Sequence, residues 1–383
     1  MSSSLSNGLS TGAQHAARHG KTARMYWPEL DALRFFAFAM VFCSHAPISR
    51  PWYRQVSDAT AFGVSIFFCL SAYLIVTLLL KEREETGRVR IGAFAIRRIL
   101  RIWPPYFAVL AIAYGIGMIF PTVHIAGRGM AAMSLLIGNL YVIHHGWLSI
   151  VMIAPLWSIS LEEQFYLGVP FLTSIGGRRA ILSICLVTIA VAYGVLCLLG
   201  AKGEIPIWQI WANSFVEFQF FAAGGLIALF FYGRRPRLPL PVRLFMMASG
   251  LACFYVAAAR FNIHSWRPAP VSSLVLGYIC ALAGTALILI ATLNLNVRVP
   301  SIVVYFGKIS YGLYLIHTVV LFMLFSNIDA WPREAAYFSH HKLLGIPLAM
   351  ALTAGIASLS YRYFERPILR LKNRFETVKT RPA

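Results

Sequence analysis

Ten stretches of this chain are apolar over enough residues to be read as bilayer crossings, and no other feature limits the possible folds so strongly. They run Phe35–Ile48, Thr60–Leu80, Ile102–Phe120, Pro155–Ile175, Ala180–Leu199, Trp211–Tyr232, Leu244–Ala259, Ser272–Leu293, Ser301–Phe325 and Leu344–Tyr361. A bilayer core about 30 Å thick calls for about 20 residues of helix, and backbone exposed to lipid must satisfy its hydrogen bonds internally. Composition agrees: 58% of residues are hydrophobic and 13% charged, against about 25% charged in soluble domains. The expected fold class is therefore an all-α polytopic membrane protein with about ten transmembrane helices.

Lysine and arginine set the expected orientation, because they collect on the cytoplasmic side of membrane proteins. With the N-terminus inside, the loops Lys81–Arg101, Gly176–Arg179, Gly233–Arg243 and Asn294–Pro300 and the tail from Arg362 hold most of them. Both termini are then cytoplasmic. One further run, Met130–Tyr141, is short and interrupted by Gly138 and Asn139; it reads either as an eleventh span or as a re-entrant or interfacial helix. Counting it as a span would turn Arg178, Arg179, Arg234, Arg235 and Arg237 outward, against that bias, so ten spans is the preferred count.

The net charge of +20 comes from short basic clusters between apolar runs, which argues against a nucleic-acid partner and for the lipid bilayer. Residues 1–26 are rich in Ser, Gly and Ala and read as a disordered cytoplasmic tail, not a cleaved signal. A single transmembrane domain is expected over 27–370, followed by a basic cytoplasmic tail over 371–383. The six cysteines fall in hydrophobic stretches with no CxxC pair, so neither a disulfide framework nor a zinc site is implied. The adjacent pairs His144–His145 and His340–His341 sit in expected outer loops, and no metal site is expected from them.

Within the apolar runs a few ionisable residues stand out, and such groups cost roughly 2.5 kcal/mol or more at membrane depth unless paired or functional. Arg34 and His45 are eleven residues apart; on a helix that is close to a whole number of turns, so they share a face. They are either a topological anchor and a boundary residue or the two ends of a site. Arg98 and Arg101, three apart at the cytoplasmic mouth of the third span, share a face too. With Arg34 they could form an inner cationic site suited to a phosphorylated cytosolic ligand, or a cluster for lipid headgroups. Glu162 lies a turn or so below the outer end of the fourth span and faces the same way as Tyr166, four residues on. It is open to three roles: orienting His45, binding an acceptor hydroxyl, or countering an arginine. His317 falls about halfway across the ninth span, above Tyr311 and Tyr314, as a packing residue or an alternative catalytic candidate.

Six stretches carry a resemblance to a known family: LDALRFFAFAMVFCSHA, FGVSIFFCLSAYLI, RRILRIWPPY, LWSISLEEQFY, GKISYGLYLIH and YRYFERP. Spread from first span to last, they resemble the acyltransferase type 3 family of integral-membrane, acyl-CoA-dependent O-acyltransferases. The resemblance implies an enzyme that moves an acyl group, expected to be acetyl, from cytosolic acyl-CoA to a hydroxyl of an extracytoplasmic carbohydrate or glycolipid. It implies that His45 is catalytic and that Arg34, Arg98 and Arg101 lie on the acyl-CoA side, with no bound cofactor. It also implies a bacterial cytoplasmic (inner) membrane. Two positions depart from the family pattern, with Ala72 after Ser71 and Ala32 after Asp31 where glycine is usual. The extracytoplasmic hydrolase-like domain fused to some members is not expected here. His45 is read as the general base for the acceptor hydroxyl or as an acyl-accepting nucleophile. The rival is a transporter or flippase that uses the same buried charges as a substrate or proton path.

Overall fold

A computed structural model describes residues 26–378, apart from 49, 121–126, 149–150, 204, 235, 264–269, 296, 326–340 and 377. The expected N-terminal tail (but for residue 26), Arg235, His340 and the last five residues lie outside the described residues. Every regular element described is helical: α1 Pro28–His45, α2 Pro51–Thr60, α3 Gly63–Thr86, α4 Ile91–Ile119, α5 Gly127–Ser134, α6 Gly138–His145, α7 Trp157–Ala201, α8 Trp208–Trp211, α9 Ser214–Phe230, α10 Leu240–Ala259, α11 Val271–Thr292, α12 Ser301–Lys308, α13 Ser310–Phe325, α14 Lys342–Ser360 and α15 Arg366–Leu371. Short 3-10 turns at Val151–Leu156 and Lys372–Phe375 and a π turn at Tyr361–Glu365 complete the set.

Among the described residues six helical segments are long and apolar enough to cross a membrane, or seven when α12 and α13, bent by 74° at Ile309, count as one. The protein is an integral membrane protein. Large apolar side chains point outward along these segments, Leu167 at 69% exposure and Ile175 at 82% among them, as a lipid-facing surface requires. The lower count has visible causes. The expected fourth and fifth spans run together as α7, whose 45 residues would rise about 68 Å, far more than one crossing. The chain breaks at Gly177, with φ 53° and ψ −131°, inside the loop expected at Gly176–Arg179. Arg83 donates to the Thr173 carbonyl at 3.0 Å and lies against the Gly177 position, and the positive φ there favours glycine. The other two segments are α1, with Glu29, Asp31 and Arg34 in its 18 residues, and α9, with 17.

The ambiguous Met130–Tyr141 stretch is not one helix. It lies across α5 and α6, eight residues each, with Leu136 between them at φ 58°. Each rises about 12 Å, so no single helix crosses there. A polar ring holds the region: Gln164 donates to Asn139 at 3.0 Å, Asn139 to Ser214 at 2.9 Å, and Ser214 to Gln164 at 2.7 Å.

α3 runs through the centre, with Phe68, Cys69, Leu70, Ala72 and Leu79 almost wholly buried. α1 packs beside it and also against α12, where the Gly307 position approaches the Asp31 backbone so closely that a Cβ would lie 1.7 Å from the Asp31 carbonyl oxygen. That contact seats the α12–α13 bend against the charged start of α1. The stretch beyond Leu371, expected as a basic cytoplasmic tail, is docked in part: Arg97 donates to the Phe375 carbonyl and pairs with the buried Glu82 at 3.3 Å. Its docking depends on residues about 280 positions earlier, which no local pattern encodes.

Candidate active site

The first-span expectation holds as geometry, since Arg34 and His45 lie on one unbroken helix. Arg34, near its start, is held by Asp31 one turn earlier, at 2.5 Å. From there a cavity of about 200 Å³ opens among α1, α3, α4, α7 and α13. Five basic side chains line it, Arg34, Arg97, Arg98, Arg101 and Lys372, against three acidic ones, Asp31, Glu162 and Glu376. The structure therefore brings the three arginines singled out from the sequence into one cavity.

Their partners differ, and the difference sorts them. Arg97 is committed to Glu82 and the Phe375 carbonyl. Lys372 faces Glu376 at 3.6 Å. Arg98 and Arg101 have no hydrogen-bond acceptor among the described residues, and Arg98 Nε is buried without one. The Arg98 guanidinium lies over the rings of Tyr166 and Phe94, 5.5 Å from each centroid; such stacking holds the fork in place and leaves its edge free. The N-terminus of α13, at Ser310 and Tyr311, also lines the cavity and adds partial positive charge there. Such a pocket suits an anionic group.

Glu162 lines this cavity with the arginines, and His45 does not. The reason is the register of α13 against the start of α7 and the 3-10 turn before it: Thr318 donates to the Met152 carbonyl at 2.8 Å, and Tyr314 meets Ser158 at 2.7 Å. Glu162 is one turn further along α7 than Ser158. Tyr166 donates to Glu162 at 3.0 Å and takes a 2.6 Å bond from Ser71. Glu162 and Tyr166 thus share a face, as their spacing implies, with Ser71 from α3 as the third member.

Beyond Tyr314 lie the two histidines, neither of which lines the cavity. Tyr314 joins the two regions, because its ring lines the cavity and its carbonyl accepts from His317 Nδ1 at 2.6 Å. His317 is fully buried, with Phe38 edge-on at 5.8 Å and Phe42 at 6.4 Å between centroids. Its Nε2 lies 3.3 Å from His45 Nδ1. His45 stands exposed at the end of α1, its Nδ1 donating to the Val41 carbonyl at 2.9 Å. One face of α1 therefore carries Arg34, Phe38, Phe42 and His45 in sequence, from the cationic cavity to the histidine pair.

Sequence reasoning missed three participants. Lys372 was assigned to a tail, Ser158 passed unremarked, and the direct meeting of His317 with His45 was not foreseen. Only Ser158 carries a local signal, four residues before Glu162 on the same face. Among the described residues no group of three or more His, Cys, Asp or Glu side chains is arranged to hold a metal ion.

A family described as "Acyltransferase domain" matches residues 27–362 of the chain. The chain is 26% identical over 374 residues to the peptidoglycan O-acetyltransferase OatA of Listeria monocytogenes serovar 1/2a, covering 92% of this chain and 57% of that one. It is 25% identical over 386 residues to a Staphylococcus aureus (strain MSSA476) protein whose O-acetyltransferase name is provisional, covering 94% and 59%. A Bacillus subtilis (strain 168) protein, YrhL, provisionally named a peptidoglycan O-acetyltransferase, is 26% identical over 380 residues, covering 92% and 56%. The chain thus spans less than two thirds of the length of these relatives. No solved structure matches it.

Proposed function

The chain belongs to the acyltransferase type 3 family, and on that premise we propose that it carries an acetyl group from cytosolic acetyl-CoA to a hydroxyl of a cell-wall glycan across the membrane. The observation that carries the reading is the line from Arg98 and Arg101, through Glu162 and Tyr314, to His317 and His45. Coenzyme A presents phosphates at one end and a thioester at the other. The arginines take the phosphates, the thioester extends toward Tyr314, and the acceptor hydroxyl approaches exposed His45. The hydroxyl proton passes to His45 Nε2 as its oxygen bonds the acetyl carbon. The C–S bond then breaks, and the coenzyme A thiolate leaves with the proton from Nε2. The glycan acceptor is supported by the names of the relatives.

This reading needs the arginine end in the cytoplasm, and with ten crossings the basic loops fall there. Ten are reached by counting the two arms of α7 separately, α12 and α13 as one, and α1 and α9 as crossings. A cysteine placed at Arg178, beside the Gly177 break, is expected to resist a membrane-impermeant thiol reagent in intact cells and to react after lysis. Labelling from outside would reverse the orientation and remove the cytosolic donor. The activity itself is read by giving sealed membranes [¹⁴C]acetyl-CoA on the cytoplasmic face and following label into glycan on the other. Label crossing as intact acetyl-CoA, with none on a glycan, would favour the transporter reading.

A further inference from the structure

A carbonyl oxygen only accepts, so a ring nitrogen bonded to one carries the proton. His317 Nδ1 meets the Tyr314 carbonyl at 2.6 Å, and His45 Nδ1 meets the Val41 carbonyl at 2.9 Å. Both protons are therefore on Nδ1. The rings touch through His317 Nε2 and His45 Nδ1 at 3.3 Å. A cationic His317 would set one N–H against another there, so the contact requires a neutral ring with a lone pair on Nε2. His45 Nδ1–H is then shared between the Val41 carbonyl and that lone pair, and His45 Nε2 is left bare. The nitrogen opposite a fixed hydrogen bond is the one free for chemistry.

We propose that His317 is a positioning residue for His45, joining the Val41 carbonyl in holding its ring as the Nδ1–H tautomer so that Nε2 accepts the proton of the glycan hydroxyl. The proposal rests on the acetyl-transfer reading above. Its second consequence concerns charge. When Nε2 takes the hydroxyl proton, His45 becomes an imidazolium, and the Nδ1–H···Nε2 bond to His317 becomes charge-assisted and stronger. An interaction that strengthens only as the proton moves raises kcat and leaves KM nearly untouched. His317 is suited to this because it is boxed in: Phe38, Phe42 and Tyr314 crowd its ring, and turning it over would replace both polar contacts with carbon.

The test uses the full chain in lipid nanodiscs with [¹⁴C]acetyl-CoA and a soluble glycan fragment. His317→Phe leaves the Val41 carbonyl on His45 Nδ1 but removes the bond that becomes charge-assisted as the proton moves, so it is expected to lower kcat by about ten- to a hundredfold, with KM for acetyl-CoA changed less than about twofold. His317→Gln places an amide oxygen near the lost Nε2 and is expected to recover part of that loss. Independently, ¹⁵N-histidine NMR of the wild-type protein, with the His45 signals identified by their loss in His45→Ala, is expected to show Nδ1 protonated and Nε2 bare. The proposal is overturned by wild-type kcat in the Phe variant, by Gln performing no better than Phe, or by an Nε2–H tautomer at His45. If the Phe variant does not fold, the wild-type and Gln spectra decide. Should the wild-type protein transfer no acetyl group, the functional reading fails while the NMR still tests the hold of His317 on His45.

Discussion

His45→Ala is expected to lower acetyl transfer by about 10²- to 10⁴-fold, the usual cost of removing a general base, while acetyl-CoA still binds. The fold should survive because the end of α1 does not depend on this side chain. The last carbonyls of a helix lack intrahelical donors, and here α2 supplies two: Tyr53 donates to the Cys43 carbonyl at 2.7 Å and Ser57 to the Ser44 carbonyl at 2.9 Å. What the alanine leaves behind is His317 Nε2 without its donor, a cost of about 1–3 kcal/mol at most. His45→Gln is the stricter comparison, since it keeps a polar group but cannot take a proton. Initial rates of label transfer and equilibrium acetyl-CoA binding, measured on the same preparations, separate the outcomes. Near-wild-type transfer in either variant would make His45 structural and move the proton-accepting role to His317. A joint loss of binding and turnover would mean that His45 positions the donor instead.

What the sequence made legible was whatever a helix repeats locally. Arg34 and His45 on one face, Arg98 beside Arg101, and Glu162 beside Tyr166 all follow from 3.6 residues per turn, and the structure keeps each pair together. Relations between helices were not legible. The place of Glu162 in the cavity depends on how α7 and the 3-10 turn before it sit against α13, fixed by Thr318 on Met152 and Tyr314 on Ser158, 166 and 156 residues apart. The meeting of His45 with His317 spans 272 residues and appears in no window of either helix. The span count blurred for a related reason: hydropathy locates apolar runs, whereas the bend at Gly177 and the 74° break at Ile309 are backbone events that hydropathy does not register. Lys372 shows the limit most plainly. By composition it belongs to a basic tail, and only Arg97 holding the Phe375 carbonyl brings it to the cavity.

That same division of partners yields the second large effect. Of the cavity arginines, Arg34 is held by Asp31 and Arg97 by Glu82, so a phosphate bound there would find its free guanidinium edges on Arg98 and Arg101. A charge-assisted hydrogen bond contributes roughly 1.5–3 kcal/mol, about ten- to a hundredfold in affinity for each arginine. Removing both, in Arg98→Ala with Arg101→Ala, should weaken acetyl-CoA binding by at least about a hundredfold. The two losses need not add, because the residues share one cavity and couple. Arg101→Lys keeps the charge but not the fork, so its affinity should fall between wild type and alanine. Arg98→Lys should fare worse than Arg101→Lys, because the lysine also gives up a planar group lying over Tyr166 and Phe94. Direct titration of coenzyme A into the purified protein in nanodiscs measures all of these without an acceptor glycan. A folded double variant with unchanged affinity would leave the arginines as a lipid-headgroup cluster and require the donor to enter elsewhere. A variant that binds normally but does not turn over would shift them from holding the phosphates to stabilising charge during transfer.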